Sequence, residues 1–137
     1  MIRVLFLCVH NSARSQMAEG LLRAMAGDRF DAFSAGSVPS SVHPLALRVM
    51  RERGIDISRQ RSKSVAEFAD DHFDYAITLC AEEVCPIFLR ADKHLHWSLP
   101  DPSAEPADRQ LAAFRQTANA IANRLREFIS QRDDQDA

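Results

Sequence analysis

The chain has 137 residues, a formal charge of -2, 46% apolar and 26% charged residues, the size and balance of one soluble domain that buries its own core without disulfide or metal staples. Arg and Lys are interleaved with acids, which excludes a general nucleic-acid surface, so any anion site has to be local. Three cysteines make an odd count ill suited to a static disulfide framework, and without an export signal the expected compartment is the reducing cytoplasm, where reactive thiols are the live possibility.

Ile2 to Leu7 is a continuous β-branched and apolar run, the pattern of a central parallel strand covered on both faces and too short to cross a membrane. Met17, Leu21 and Met25, with Ala18 and Leu22 beside them, mark an amphipathic helix ended by Gly27. Phe30 to Ala35 reads as a second strand closing at Gly36, and Pro44 then opens a helix carrying Leu45, Val49 and Met50 that stops at Gly54. Ser64 to Ala69 reads as a short helix, Tyr75 to Leu79 as the third strand and Leu95 to Trp97 as a short fourth. Leu111, Phe114, Ala118, Ile121, Leu125 and Phe128 recur at intervals of three and four, one face of a long C-terminal helix. Phe68 and Phe73 are assigned to the core. Residues 1–130 are expected to form a single domain, with 131–137 a solvated C-terminal tail.

Strands alternating with helices predict an α/β fold, a parallel sheet flanked by helices on both faces. In such sheets ligands bind beyond the carboxyl ends of the strands. Cys8 ends the first predicted strand, Cys80 the third, and Asp101 follows the fourth, so all three face one edge.

Cys8-Val9-His10-Asn11-Ser12-Ala13-Arg14-Ser15 joins the first strand to the first helix. Five residues between a Cys and an Arg let the chain curl so that backbone N–H groups and the helix N-terminus converge on one tetrahedral oxyanion. Arg14 adds a planar, bidentate contact. The same field favours Cys8 as a nucleophilic thiolate, with the Ser15 hydroxyl placed to hydrogen-bond it. The bare Cys-to-Arg spacing is weak evidence and a buried structural Cys is the alternative; the flanking strand and helix and the Ser directly after the Arg favour a site.

If the first and third strands are neighbours, Cys8 and Cys80 leave them about 5 Å apart, within reach of a disulfide. On an intact helix Cys80 and Cys85 would diverge by about 140 degrees, so a bond between them requires unwinding; the stretch is expected to be mobile, with Glu82 and Glu83 facing solvent. Two buried thiols without a role are the alternative. Asp101, between Pro100 and Pro102, is either an acid aimed at the anion or a plain turn residue. His94 and His96 share a strand face but lack an obvious third ligand, so no metal is expected.

Together, Cys8 through Gly20, Ser34-Ala35-Gly36, Val42-His43-Pro44, Gly54 through Ser58, Thr78-Leu79-Cys80, Cys85-Pro86 and His96-Trp97 through Asp101-Pro102 resemble the arsenate reductases of the low-molecular-weight protein tyrosine phosphatase fold. The resemblance spans nearly the whole chain and implies a four-stranded parallel sheet in order 2-1-3-4. It implies that arsenate is held by the loop of Val9, His10, Asn11, Ser12, Ala13 and Arg14, that Cys8 attacks it, and that Asp101 assists departure of an oxygen. Cys80 then attacks the Cys8 sulfur, and Cys85 takes over Cys80, leaving a Cys80–Cys85 disulfide for thioredoxin. Asn11 resembles the residue that holds the loop in shape. No bound cofactor is implied, and a monomer that also takes phosphate-like oxyanions is expected.

Two departures stand out. The family pattern has more residues between its second and third cysteines than separate Cys80 from Cys85, which leaves a glutathione or glutaredoxin route open. Some members hold potassium near positions matching Asn11, Glu19 and Ser34, but Lys63 stands where a fourth, acidic ligand is expected, and its ammonium is the natural substitute for the ion. One rival is a low-molecular-weight phosphatase, disfavoured because it has no use for Cys80 or Cys85 and because Ser103 replaces the aromatic residue expected after Asp-Pro. The other is a non-catalytic, redox-sensitive oxyanion-binding module.

Overall fold

The opening apolar run forms strand β1 (Ile2–Cys8), and its neighbours decide everything downstream. The chain continues through helix α1 (Arg14–Ala26), β2 (Phe30–Gly36), α2 (Pro44–Glu52), β3 (Phe73–Thr78), β4 (Ala91–His96) and α3 (Ala107–Asp136), with one-turn 3-10 helices at Val65–Phe68 and Pro102–Ala104. These elements come from a computed structural model that describes residues 1–81 and 84–136, with side chains through 132. The strands form one parallel sheet in the order β2-β1-β3-β4, as expected.

β1 is central, so both its faces are dry: Val4, Leu5, Phe6 and Leu7 are all 0% exposed, each contributing about 1.5–3 kcal/mol by burial. Val4 and Phe6 pack among Met17, Leu21, Phe114, Ile121 and Leu125 of α1 and α3. Leu5 and Leu7 face the other side, with Ala35, Phe73, Ala76 and Phe88. That second face is covered by the 3-10 turn at Val65–Phe68 and by the chain around Phe88, whose ring meets Phe73 edge-on at 5.5 Å.

Several boundaries differ from expectation. β4 starts four residues before Leu95 and stops at His96; it is an edge strand whose Asp92, Lys93 and His94 are exposed, so backbone pairing with β3 makes it a strand while its side chains carry no apolar alternation. β3 runs Phe73–Thr78, which leaves Leu79 and Cys80 just beyond the sheet edge. The predicted tail from Gln131 instead continues α3 to Asp136, where the Arg132 guanidinium stacks at 5.1 Å from the Tyr75 ring and 5.0 Å from Phe128. Glu82 and Glu83, expected to face solvent, and Ala137 of the predicted tail lie outside the described residues. Among the described residues no helix is long and apolar enough to cross a membrane.

Candidate active site

The register pairs Cys8 with Gly36 and Leu7 with Thr78, so the end of β1 sits between the ends of β2 and β3. The turn after Cys8 presses onto β2. A Cβ at Gly36 would collide with the Val9 carbonyl and stand 2.9 Å from the Asn11 nitrogen and the Cys8 carbonyl oxygen; only glycine lets the loop lie this close. Behind the loop, the carbonyls of Val9, His10 and Ser12 accept N–H bonds from Val38, Ser40 and His43 at 2.9, 3.3 and 3.0 Å. The Asn11 carbonyl accepts from Gln16 Nε2 at 3.1 Å. Because these peptides are trans, turning the carbonyls of residues 9–12 outward sends the following N–H groups to the inner side of the turn. The N-cap of α1 is Ala13, which offers no capping side chain, so the first-turn N–H groups also stand ready for an anion.

Asn11 is left-handed, φ 48°, a conformation Asn tolerates at modest cost. Its side-chain amide lies behind the loop, with Oδ1 accepting from the Lys63 N–H at 2.9 Å and from Gln16 Nε2 at 3.0 Å, and Nδ2 donating to Ser15 Oγ at 2.8 Å. Ser15 Oγ lies 2.8 Å from Cys8 Sγ. With Asn11 donating to its oxygen, the Ser15 hydroxyl proton is free to donate to the sulfur, the arrangement a thiolate needs.

Cys8, His10, Ser12, Ala13, Arg14, Ser40, Asp101 and Ser103 line one cavity of about 200 Å³. Val9 and Asn11 are not on its wall; they shape the loop. Arg14 is 4% exposed, and its Nη1 donates to the Leu99 carbonyl at 2.9 Å. Asp101 caps the second 3-10 turn, its Oδ1 accepting from Ser103 N at 3.0 Å and Ser103 Oγ at 2.7 Å. Ser103 therefore fills the position after Asp-Pro by gripping the acid. His43 caps α2 through Nδ1, which accepts the Leu45 N–H at 3.1 Å; burial pushes its imidazole below the ordinary value, partly opposed by the Asp101 carboxylate.

Beyond β3, Cys80 and Cys85 are joined in a disulfide with Cα atoms 5.6 Å apart, while Cys8 is a free, buried thiol. Residues 84–90 form neither helix nor strand, the unwound state that this bond requires. Cys80 is 1% exposed, and Cys85 is half-buried beside a cavity of about 290 Å³ that Leu7, Thr78, Phe88, His94 and His96 help to line. Phe88 is sunk into the sheet, whereas Val84, Ile87 and Leu89 are 91, 80 and 81% exposed. His94 Nε2 donates to the Phe88 carbonyl at 2.7 Å and His96 Nδ1 lies 2.6 Å from Thr78 Oγ1. The two histidines are thus partners of their own chain.

Lys63 also reaches the back of the loop: its Nζ stands 3.6 Å from Glu19 Oε1, 3.4 Å from Ser34 Oγ and 3.0 Å from the Arg61 carbonyl. Burial lowers its ammonium from the ordinary value, opposed by Glu19. With a positive charge already seated between Glu19 and Ser34, these residues do not suit a further cation.

Sequence reasoning missed Gln16, the Leu99 carbonyl, Ser40, Ser103 as a partner of Asp101, and His94 as an anchor. A legible signal existed for Gln16, a polar residue on the apolar side of α1. For Ser103 it was the Asp-x-Ser spacing of a helix-capping turn.

A strand-loop-helix anion cradle with a cysteine at its base, on a four-stranded parallel sheet, defines a phosphatase-like oxyanion enzyme fold. The model of the low molecular weight phosphotyrosine protein phosphatase family matches residues 3–136, and the chain belongs to that family. Within it, an arsenate reductase of Halalkalibacterium halodurans is 40% identical over 129 residues, covering 91% of this chain and 93% of its own. A solved structure described as an arsenate reductase in the phosphate binding state superposes with a TM-score of 0.78 at 36% identity, over 96% of this chain and 98% of that one. The thioredoxin-dependent arsenate reductase Cg_ArsC1' of Corynebacterium glutamicum superposes with a TM-score of 0.75 at 34% identity, over 96% of this chain and 61% of that one.

Proposed function

We propose that the chain is an arsenate reductase that passes two electrons from its own thiols to arsenic and is returned to the reduced state by thioredoxin. The observation that carries this reading is the Cys80–Cys85 disulfide beside a loop that keeps Cys8 free: phosphate-ester hydrolysis needs the loop and the acid but has no use for a vicinal redox pair. The arsenate reductases among its relatives support the same substrate.

In the first step the loop amides and Arg14 hold arsenate, the Cys8 thiolate attacks arsenic, and Asp101 protonates the departing oxygen. The Cys80 thiolate then attacks Cys8 Sγ. The arsenic–sulfur bond breaks with its electron pair moving to arsenic, which leaves as trivalent arsenite, and a Cys8–Cys80 disulfide forms. Cys85 attacks Cys80 Sγ next, freeing the Cys8 thiolate and forming the Cys80–Cys85 disulfide. A thioredoxin dithiol reduces that bond; a glutaredoxin or glutathione route is the alternative electron supply. The described state, with Cys8 free and the other pair oxidised, corresponds to the end of this cycle. The reaction needs no bound cofactor, and the enzyme acts in the cytoplasm as a monomer.

The test measures arsenite released with thioredoxin, thioredoxin reductase and NADPH. Cys8→Ser, Cys80→Ser and Cys85→Ser should each stop turnover, with residual aryl phosphatase activity lost in Cys8→Ser alone. Normal turnover in Cys80→Ser and Cys85→Ser, with rapid aryl phosphate cleavage, refutes the relay. Replacing thioredoxin with glutathione and glutaredoxin in the wild type decides the electron donor.

A further inference from the structure

Gln16 plays no part in the scheme above, yet it is a polar side chain at 0% exposure beneath the anion loop. Its Nε2 is surrounded by three acceptors: the Asn11 carbonyl at 3.1 Å, Asn11 Oδ1 at 3.0 Å and the Arg61 carbonyl at 2.9 Å. Two of these are backbone carbonyls, which only accept, so the NH2 end of Gln16 must face them. Its Oε1 accepts from Gln60 Nε2 at 2.8 Å, and the same Gln60 nitrogen donates to the Gln16 carbonyl at 3.0 Å. Gln60 Oε1 in turn accepts from Arg23 Nη1 at 3.0 Å. Every amide orientation is therefore fixed by a neighbour of unambiguous sense: Arg23 fixes Gln60, Gln60 and the carbonyls fix Gln16, and Gln16 with the Lys63 N–H fixes Asn11.

We infer that Gln16, held by Gln60, is a positioning residue for the nucleophile. It pins the left-handed turn at Asn11 and keeps the Asn11 NH2 end on Ser15, so that the Ser15 hydroxyl stays turned to donate to the Cys8 sulfur. Reversing the donor at position 16 sets an oxygen against three oxygens. The cheapest relief is rotation of the Asn11 amide, which withdraws Nδ2 from Ser15 and frees the hydroxyl to donate elsewhere. The inference rests on Cys8 being the nucleophile of the proposed reaction but not on arsenate being its target.

The test is the rate at which iodoacetamide alkylates Cys8, measured across pH on Cys80→Ser/Cys85→Ser protein so that Cys8 is the reacting thiol. On the acid limb of the profile, where the rate follows the thiolate fraction, the near-isosteric Gln16→Glu should react about tenfold more slowly, the loss of about one hydrogen bond to the thiolate. Gln16→Met, which removes the donor without adding an opposing oxygen, should fall between that variant and wild type. All variants should converge at alkaline pH, where the thiolate is complete, which a collapsed loop would not do. The other charged or titratable groups on the cavity wall, His10, Arg14 and Asp101, are unchanged in these proteins. In an Asn11→Ala background Gln16→Glu should add less than a factor of about two, because it acts through Asn11. Should Gln16→Glu fail to fold, Gln60→Ala at the half-buried rim should still show a loss of about two- to threefold. Wild-type rates in Gln60→Ala and Gln16→Met, or a full loss persisting in the Asn11→Ala background, overturn the inference. Because alkylation involves no arsenate, this outcome is separate from that of the turnover assay.

Discussion

The two cysteine-bearing regions at this sheet edge are built in opposite ways. Around Cys8 the chain is closed: Asn11, Ser15 and Gln16 are all 0% exposed and bonded to one another, and the loop carbonyls are tied to residues 38–43. Around Cys85 it is open: Val84, Ile87 and Leu89 stand in solvent, and the stretch is held by the Phe88 ring below and by His94 on the Phe88 carbonyl. Attack on a small oxyanion needs amides and a thiolate fixed before the ion arrives. Taking electrons from another protein's dithiol needs a sulfur that a partner can reach and surroundings that yield. The same edge of the sheet holds the rigid site and the accessible one, joined by Cys80.

Changes to the closed region should cost the most. Gly36→Ala pushes a methyl into the Val9 carbonyl and Asn11; displacing the loop by about 1 Å should cost about 10²-fold in arsenite formation, with Kd for phosphate rising in parallel. Unchanged activity would show that the loop yields more readily than its packing implies. In the open region Phe88→Ala removes a ring packed on Phe73 and should lower stability to urea by about 3 kcal/mol. A single turnover at Cys8 should stay near wild type there, because the ring touches none of the loop. If it slows as much as in Gly36→Ala, the two regions are not independent.

Lys63→Ala should cost about 1–3 kcal/mol, since it uncovers the Glu19 carboxylate while Arg23 still pairs with it at 2.9 Å. Potassium should stabilise this variant and leave the wild type unmoved; equal responses would contradict the placing of the ammonium as the local cation. The smallest effect concerns His43. Its folded value lies below the ordinary 6.5 because of burial, so the folded state resists protonation, and stability falls as pH drops below about 6.5 and levels off once the lowered value is passed. The neutral ring is also the form that accepts the Leu45 N–H. His43→Asn keeps a capping acceptor without titrating, and should flatten that acid limb in a urea series.

The anion loop was legible in the sequence because its chemistry is local: Cys8, Arg14 and Ser15 lie within one strand-loop-helix unit whose apolar run and helix are unmistakable. The sheet order and the Cys80–Cys85 bond followed from the family resemblance, since no spacing in one chain dictates which strands pair. β4 was under-read because an edge strand shows its pairing in backbone bonds, and Asp92, Lys93 and His94 show solvent. The helical run from Gln131 to Asp136 was missed because its anchor, Arg132 stacked on Tyr75 and Phe128, is a polar residue packed on rings from another part of the chain. Gln16 and Gln60 are 44 residues apart, and their pairing needs the fold before it has a meaning.

The relay is tested most directly by one cycle of Cys85→Ser with arsenate and no external reductant, followed by peptide mass mapping. One arsenite released per chain, together with a Cys8–Cys80 disulfide, is the expected result. Arsenite release without that bond, or no release while Cys8 binds and is alkylated normally, contradicts the transfer of electrons from Cys80.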